Sequence, residues 1–590
     1  MPVPIQVAFK PLNPPVVGEL GYLRPTLGRK EVLRQGSAPF GARKLDSDLL
    51  VEHDVECVVR DGSRLYADIY RPTSSEKVPV VISWSPYGKK HSALDAIFQM
   101  SPWACCLKRE EVSGLEKFEG LDPAYWCARG YAIANVDSRG SGMSDGDNVC
   151  MGTQEAEDAY DVIELLARMD WCNGNVAMAG NSYLAIMQWH AAAQNPPSLK
   201  AIAPWEGCGD IFREQFGRGG WFNMSNYDMI TTRVIKGQRG VEDFAEMYRR
   251  SPLANIHWND KRADMRKINI PCFITGSDFS QIHTMGSVRG WMQVNTDKKW
   301  IKWSPYQEWF ELYGLSEMNE ELKSFFDRYL KDIENDWEKT PRVRWATLQF
   351  GDRDSKLNIE LPDFPVPDTD YRTFYLAPGN SLTAECPAAL GTVAHDSEDR
   401  WSISKFKYTF DKDTRIIGLP KAVLYMSCPA RDDFVVFLQL RKLDKAGKEL
   451  SCLQYPFERA PVNSIGEIAE NDHSAMNLHN GAIGVLRASH RKTDPLQSIH
   501  PQYPFHPHDE AQAVPPGQIV ELEIGIWAMG VDFDKGESIQ LDILGQWPGF
   551  KDGVNQGSAP RPDHERNKGK HVVHFGGSHP SHLILPFVNV

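Results

Sequence analysis

The chain has 590 residues, 42% hydrophobic and 24% charged, too long for one ordinary core, and this predicts a soluble globular protein of two or three domains. A net charge of -13 excludes a nucleic-acid or anionic-membrane surface as partner, since either needs clustered Lys and Arg. Eleven cysteines, odd in number and irregular in spacing, form neither a metal pattern nor a disulfide framework, so reduced thiols, a cytoplasmic location and no metal or other cofactor are expected. The N-terminus has no charged stretch followed by a long apolar core, and no run approaches the roughly 18 residues of a membrane span. Neither an export signal nor a membrane partner is expected.

Residues 1–48 read as an arm lying over the surface, because Pro2, Pro4, Pro11, Pro14 and Pro15 forbid regular helix and interrupt strands. The alternating segments VECVVRDG and SRLYADIYRP then flank Asp61-Gly62 and predict a β-hairpin. VPVVISWSPYGKK is a continuous apolar run ending in a Pro-Tyr-Gly turn, the pattern of a buried strand. Tyr87 therefore falls where doubly wound sheets place ligands, although an aromatic that packs its own loop down is the plainer reading of that residue alone. Residues 89–124 form an irregular insertion ahead of a short helix at 123–129. GYAIANVDSRGSGMSDGD supplies the next buried strand and a turn in which Asp137 and Arg139 are expected to pair. Residues 155–169 are strongly amphipathic, with Ala159, Val162, Ile163, Leu166 and Ala167 on one face and Asp158, Asp161 and Glu164 turned away.

The stretch 175–194, NVAMAGNSYLAIMQWHAAAQ, changes from β-forming apolar text to helical periodicity at Ser182. That is the pattern of a nucleophile elbow, in which a sharp strand-to-helix turn lifts a serine clear of the sheet and the first helical amides face any oxyanion formed there. A loop with Ser182 as an ordinary helix N-cap fits the tripeptide Gly-Asn-Ser equally well. Leu184 occupies the place of the second glycine in the strict G-x-S-x-G pattern.

Five segments in this order, VECVVRDGSRLYADIYRP, SWSPYGK, ARGYAIANVDSRGSGMSDGD, MDWCNGNVAMAGNSYLA and PPSLKAIAPWEGCGDIFRE, resemble the cocaine-esterase and X-prolyl dipeptidyl-peptidase group of α/β-hydrolases. That group writes the elbow G-x-S-Y-x-G, so only Ala185 departs from it. The resemblance implies Ser182 as nucleophile, with the Tyr183 backbone N–H and the Tyr87 hydroxyl as oxyanion donors. It also implies a helical cap at about 205–268, short here and rich in Phe212, Phe216, Trp221, Phe222, Tyr227, Phe244, Tyr248 and Trp258. Most of these aromatics are expected in the cap core and a few along the pocket.

A seryl hydroxyl needs a base, usually a histidine oriented by a carboxylate in the order Ser, Asp, His. INIPCFITGSD ends at Asp278, where the acid is expected, but its Gly-Ser-Asp turn differs from the Gly-Trp-x-Asp-like turn of the group. The following KKWIKWSPYQEW resembles K-W-L-R-W-H-P-Y-Q-E-W of a fungal-looking subgroup, and the histidine of that pattern is Ser304 here. A hydroxyl cannot replace imidazole as general base. Three readings stay open: His283, five residues past Asp278, serves as the base; the chain is an inactive, ligand-holding or scaffold relative; or the pocket performs non-hydrolytic chemistry such as cyclisation, elimination or acyl transfer.

Residues 319–339 predict an amphipathic helix that closes a hydrolase domain spanning 49–340. From 341 to 590, short strands punctuated by Pro, Gly and Asp predict an all-β domain, and several of them resemble the C-terminal jelly roll of the same group. His500, His506 and His508 are expected in a solvated loop, not a metal site. The expected whole is an α/β-hydrolase domain with a small helical cap and a C-terminal jelly roll. Its expected activity is that of a serine hydrolase on a small acyl molecule, with homo-oligomer formation left open.

Overall fold

The computed structural model describes residues 5–19, 22–90, 92–224, 227–550 and 564–589. An eleven-stranded sheet organises the first part of the chain. Its strands are β1 (Lys30–Leu33), β2 (Leu49–Val58), β3 (Arg64–Pro72), β4 (Val78–Ser85), β5 (Ala132–Asp137), β6 (Cys172–Asn181), β7 (Leu199–Trp205), β8 (Cys272–Ser277), β9 (Lys299–Ser304), β10 (Val343–Thr347) and β11 (Lys356–Leu361). Their spatial order is β11-β10-β9-β8-β7-β6-β4-β5-β3-β2-β1. From β5 through β4 to β10 all neighbours pair in parallel, while both margins are antiparallel. Every residue of β4 and β5 is buried, as parallel strands covered on both faces require.

The covering helices are α1 (Thr153–Ala167), α2 (Tyr183–Ala192), α3 (Thr284–Gln293) and α4 (Ser316–Leu330). All ten residues of α2 are buried, so the helix that follows the elbow is apolar all round and locked in the core. In α1 the apolar face is as expected, but Asp158 is buried too, because the Arg139 guanidinium grips its carboxylate at 2.7 and 2.8 Å. Arg139 also reaches Asp61 at 2.9 Å. The expected Asp137–Arg139 pair does not form; Asp137 instead accepts the Lys89 N–H and lies 3.7 Å from the Lys117 ammonium.

Two further expectations need correction. The arm contains strand: Phe9–Pro11 pairs antiparallel with Gly240–Glu242 of the cap, and β1 extends the large sheet. The hydrolase sheet runs past residue 340 to Leu361, because β10 and β11 complete its margin. Beyond it, strands from Asp370–Ala377 to His582–Phe587 build a thirteen-stranded, largely antiparallel all-β unit with its own apolar core. The expected 319–339 helix is α4 plus a separate turn at Asp336–Lys339.

Of the three histidines, His500 and His506 are partly exposed, but His508 does not sit in a solvated loop. His508 is buried, accepts or donates a 3.0 Å hydrogen bond with His490, and packs edge-on against Phe212 of the cap. No group of His, Cys, Asp and Glu suited to a metal ion occurs among the described residues. No helix among them is long and apolar enough to cross a membrane.

Candidate active site

Because β4 lies between β5 and β6, the strand order reverses there, and the turns leaving β4 and β6 open the crevice where such sheets bind ligands. Ser182 stands at the β6–α2 turn with φ 54° and ψ -119°, a region that L-residues occupy only when surrounding structure forces them. Gly180, with φ 129°, permits the close approach: a Cβ there would stand 2.6 Å from the Glu119 carbonyl oxygen. The strained turn has the geometry of an elbow, and its serine side chain faces a cavity of about 140 Å³.

Three groups surround the Ser182 hydroxyl. His283, immediately before α3, places Nε2 3.0 Å from Oγ. Its Nδ1 accepts the Cys208 backbone N–H at 3.3 Å, so the neutral ring carries its proton on Nε2 and donates to the serine. Burial alone pushes this imidazole down to about 3, and no carboxylate offsets it. The Tyr87 phenol, also buried, bonds with Ser182 and stays protonated, its acidity suppressed by burial and by the nearby Glu119 carboxyl. The Tyr87 ring is fixed by Tyr183 at 5.7 Å and Phe118 at 5.5 Å. The Tyr183 side chain points away and donates to Glu155 at 2.8 Å, leaving its backbone N–H at the start of α2.

The third neighbour is Glu119, which residue patterns did not single out. Glu119, Glu206 and Glu308 all line the cavity, and burial raises all three. Glu119 is pushed up to about 8, although the Trp309 indole N–H, the Ser182 hydroxyl and the Tyr183 amide favour its charged form. Glu206 and Glu308 share a hydrogen bond, which holds one carboxyl protonated against the other. No Lys or Arg is among the described lining residues. The rest of the wall is largely apolar: Met229, Ile230 and Val234 come from the cap, and Ala475 and Met476, with Gln454, from the all-β domain.

Comparison with known proteins bears on this arrangement. Residues 61–240 match the X-Pro dipeptidyl-peptidase (S15 family) and residues 335–584 the X-Pro dipeptidyl-peptidase C-terminal non-catalytic domain. The cocaine esterase of Rhodococcus sp. (strain MB1 Bresler) is 25% identical over 92% of this chain and 100% of its own. The crystal structure of a CocE/NonD family hydrolase from Staphylococcus aureus superposes with a TM-score of 0.84 at 31% identity, covering 96% of this chain and 100% of that one. The chain belongs to the CocE/NonD hydrolase family. It is an α/β serine hydrolase of the esterase and peptidase kind, with the all-β C-terminal domain of that family.

Against that family background, this CocE/NonD hydrolase departs from the expected triad in two places. Asp278 does not reach His283. One carboxylate oxygen accepts the Trp303 indole N–H at 2.8 Å and the other the Gly530 N–H at 2.9 Å, while Phe279 beside it joins the core of the all-β domain. Burial pushes this carboxyl up to about 7 despite both donors. The residue expected to orient a base instead ties the two domains together. Ser304 lies outside the cavity wall, buried, with its Oγ accepting the Tyr306 N–H at 3.1 Å and its hydroxyl meeting the Glu311 carboxyl.

Ala185, the one departure within the elbow motif, is accommodated by Gly207. A Cβ at 207 would come within 2.6 Å of the Ala185 methyl, so the contact has room for one side chain and Ala185 fills it. The cap aromatics line no part of the cavity. They pack on one another, Phe222 on Tyr248 at 4.0 Å and Phe212 on Trp258 at 4.8 Å. The apolar residues of this segment that face the cavity are instead Met229, Ile230 and Val234.

Proposed function

We propose that this hydrolase cleaves a small, uncharged acyl compound, an ester, amide or lactone, through an acyl intermediate on Ser182. The carrying observation is the Ser182 hydroxyl on a strained strand-to-helix turn, 3.0 Å from an imidazole and facing a cavity whose wall, beyond its three carboxyls, is largely apolar. Attack of Oγ on the carbonyl carbon turns the carbonyl oxygen into an oxyanion, for which the Tyr183 N–H and the Tyr87 hydroxyl are the donors. In a site that excludes water such donors contribute about 3–4 kcal/mol each. Collapse expels the alcohol or amine, and water then releases the acid. His283 holds Oγ in place by donating to it.

The size of the cavity suits an acyl group of a few carbons, and the lack of Lys or Arg among the described wall residues disfavours acids as substrates. The esterase names of the relatives agree with the ester reading. A second reading, non-hydrolytic use of the same pocket, draws on Ser304 standing where the family pattern has histidine. A fluorophosphonate probe separates the two: it is expected to label Ser182, as mapped by peptide mass spectrometry. Ser182→Ala is expected to lose labelling and at least about 10³-fold in p-nitrophenyl acetate turnover. A folded protein that stays unlabelled refutes the acyl-serine reading.

A further inference from the structure

The proton of Ser182 has to go somewhere before its oxygen can attack, and the neighbours of that oxygen differ in what they can accept. His283 cannot take it in the tautomer observed, because Nδ1 already accepts from Cys208 and Nε2 points its own hydrogen at Oγ. Tyr87 is a protonated phenol bonded to Ser182, and a neutral phenol does not take up a second proton. With His283 donating to Oγ and Tyr87 already protonated, the serine proton needs another acceptor. Glu119 is the acceptor within reach.

Its placement is enforced from several sides. The Glu119 carbonyl accepts the Asn181 N–H at 3.2 Å, so its backbone is bound to the residue before the nucleophile. Its φ of 67° is in the left-handed region, uncommon for a non-glycine residue and found at sites where neighbours hold the chain. Oε1 accepts the Trp309 indole N–H at 3.2 Å, and the Trp309 ring is packed at 5.1 Å on Phe118. The Ser182 hydroxyl and the Tyr183 amide both lie close enough to the carboxyl to favour its charged form. The carboxyl is anchored by Trp309 and stands beside the nucleophile.

We propose that Glu119 is the catalytic residue that accepts the Ser182 proton, taking over the task of the histidine absent at position 304. The proposal rests on Ser182 being the nucleophile. In the first half-reaction the O–H bond of Ser182 breaks, its hydrogen passes to the Glu119 carboxylate, and Oγ bonds to the substrate carbon as the carbonyl electrons move to oxygen. The protonated Glu119 then gives that hydrogen to the leaving alkoxide or amine. In the second half-reaction the carboxylate takes a hydrogen from water, and the hydroxide oxygen bonds to the acyl carbon. Glu119 then returns that hydrogen to Ser182 as the acid departs. Negative charge is conserved throughout: as it leaves the carboxylate it appears on the oxyanion, so the pocket never holds both. A carboxyl raised to about 8 is a far stronger base than an imidazole pushed down to about 3, and it titrates near the pH at which a general base works best.

The test is the pH dependence of kcat/KM for p-nitrophenyl acetate in the full-length protein and four variants. The wild type is expected to rise with pH through about 8, where a base of the His283 kind would leave the profile flat above about pH 4. Glu119→Gln, isosteric but unable to accept the proton, is expected to fall at least about 100-fold and to lose the rise. His283→Ala is expected to be slower with the rise unmoved. Trp309→Phe removes a donor that favours the carboxylate and is expected to move the rise to higher pH, a readout that stands if Glu119→Gln fails to fold. Wild-type rate and profile in folded Glu119→Gln, an unmoved rise in Trp309→Phe, or loss of the rise in His283→Ala overturns the assignment. Full activity in Ser182→Ala overturns the nucleophile reading instead, and is distinguishable because it leaves no serine proton to transfer.

Discussion

The turns that leave β6 and β8 emerge from the same edge of one sheet and were both expected to deliver catalytic groups, yet they have been put to opposite uses. After β6 the backbone is forced into a strained conformation and Ser182 faces the cavity. After β8 one oxygen of Asp278 is held by Trp303 of the neighbouring strand β9 and the other by Gly530 of the all-β domain, whose core buries Phe279. His283, further along the same loop, returns to the serine. The lesson is that a carboxylate at a family's acid position is defined by its donors. Two neutral N–H groups make Asp278 a tether.

The contrast can be broken most forcefully at Tyr87. Tyr87→Phe keeps the ring contacts with Phe118 and Tyr183 and removes only the hydroxyl at Ser182, so kcat is expected to fall about 10²–10³-fold with KM nearly unchanged. Steady-state kinetics on p-nitrophenyl acetate decide it, and an unchanged kcat removes the phenol from the site.

Next in size is Asp278→Asn. A carboxylate that orients a catalytic histidine loses about 10⁴-fold in kcat on this change. Here kcat is expected to stay within about threefold, while the denaturant midpoint drops by the equivalent of about 1–3 kcal/mol, because the new amide turns an N–H toward one of two donors. A collapse in kcat with unchanged stability restores Asp278 to the active site.

The smallest effect is expected at His479, which packs edge-on to Phe279 at 5.3 Å in the same docked region. Burial lowers this imidazole from 6.5 to about 3. The unfolded chain therefore takes up a proton at about pH 6.5 that the folded chain refuses until about pH 3, and the stability present above 6.5 is lost as pH falls through that window. His479→Leu removes this one contribution. Its unfolding free energy is expected to decline less than that of the wild type between pH 7 and pH 4; parallel curves from denaturant titrations place the ring in solvent.

Much of the hydrolase half was legible from residues alone. VPVVISWS, AIANVD and the run ending at Gly180 are largely apolar without alternation, the pattern of strands covered on both faces. The elbow was visible as a change of period at Ser182, and the absence of histidine at Ser304 as a gap in an otherwise continuous resemblance. Legibility failed where loops converge. Asp158 looked solvent-facing by helical period, yet Arg139 from another turn draws it inward. His508 looked like part of a wet loop, and Phe212 packs over it.

By its own order of apolar runs, turns and one serine at a change of period, the sequence determined the parallel sheet, the β-rich second half and the serine at the strand-to-helix turn. Only the tertiary structure decided which carboxyl stands beside that serine. Glu119, Trp309 and His283 come from separate loops with no shared period or spacing, and their meeting depends on how the cap and the all-β domain close over the sheet. Burial in that closure also sets which of them can accept a proton, a property that no residue possesses in isolation.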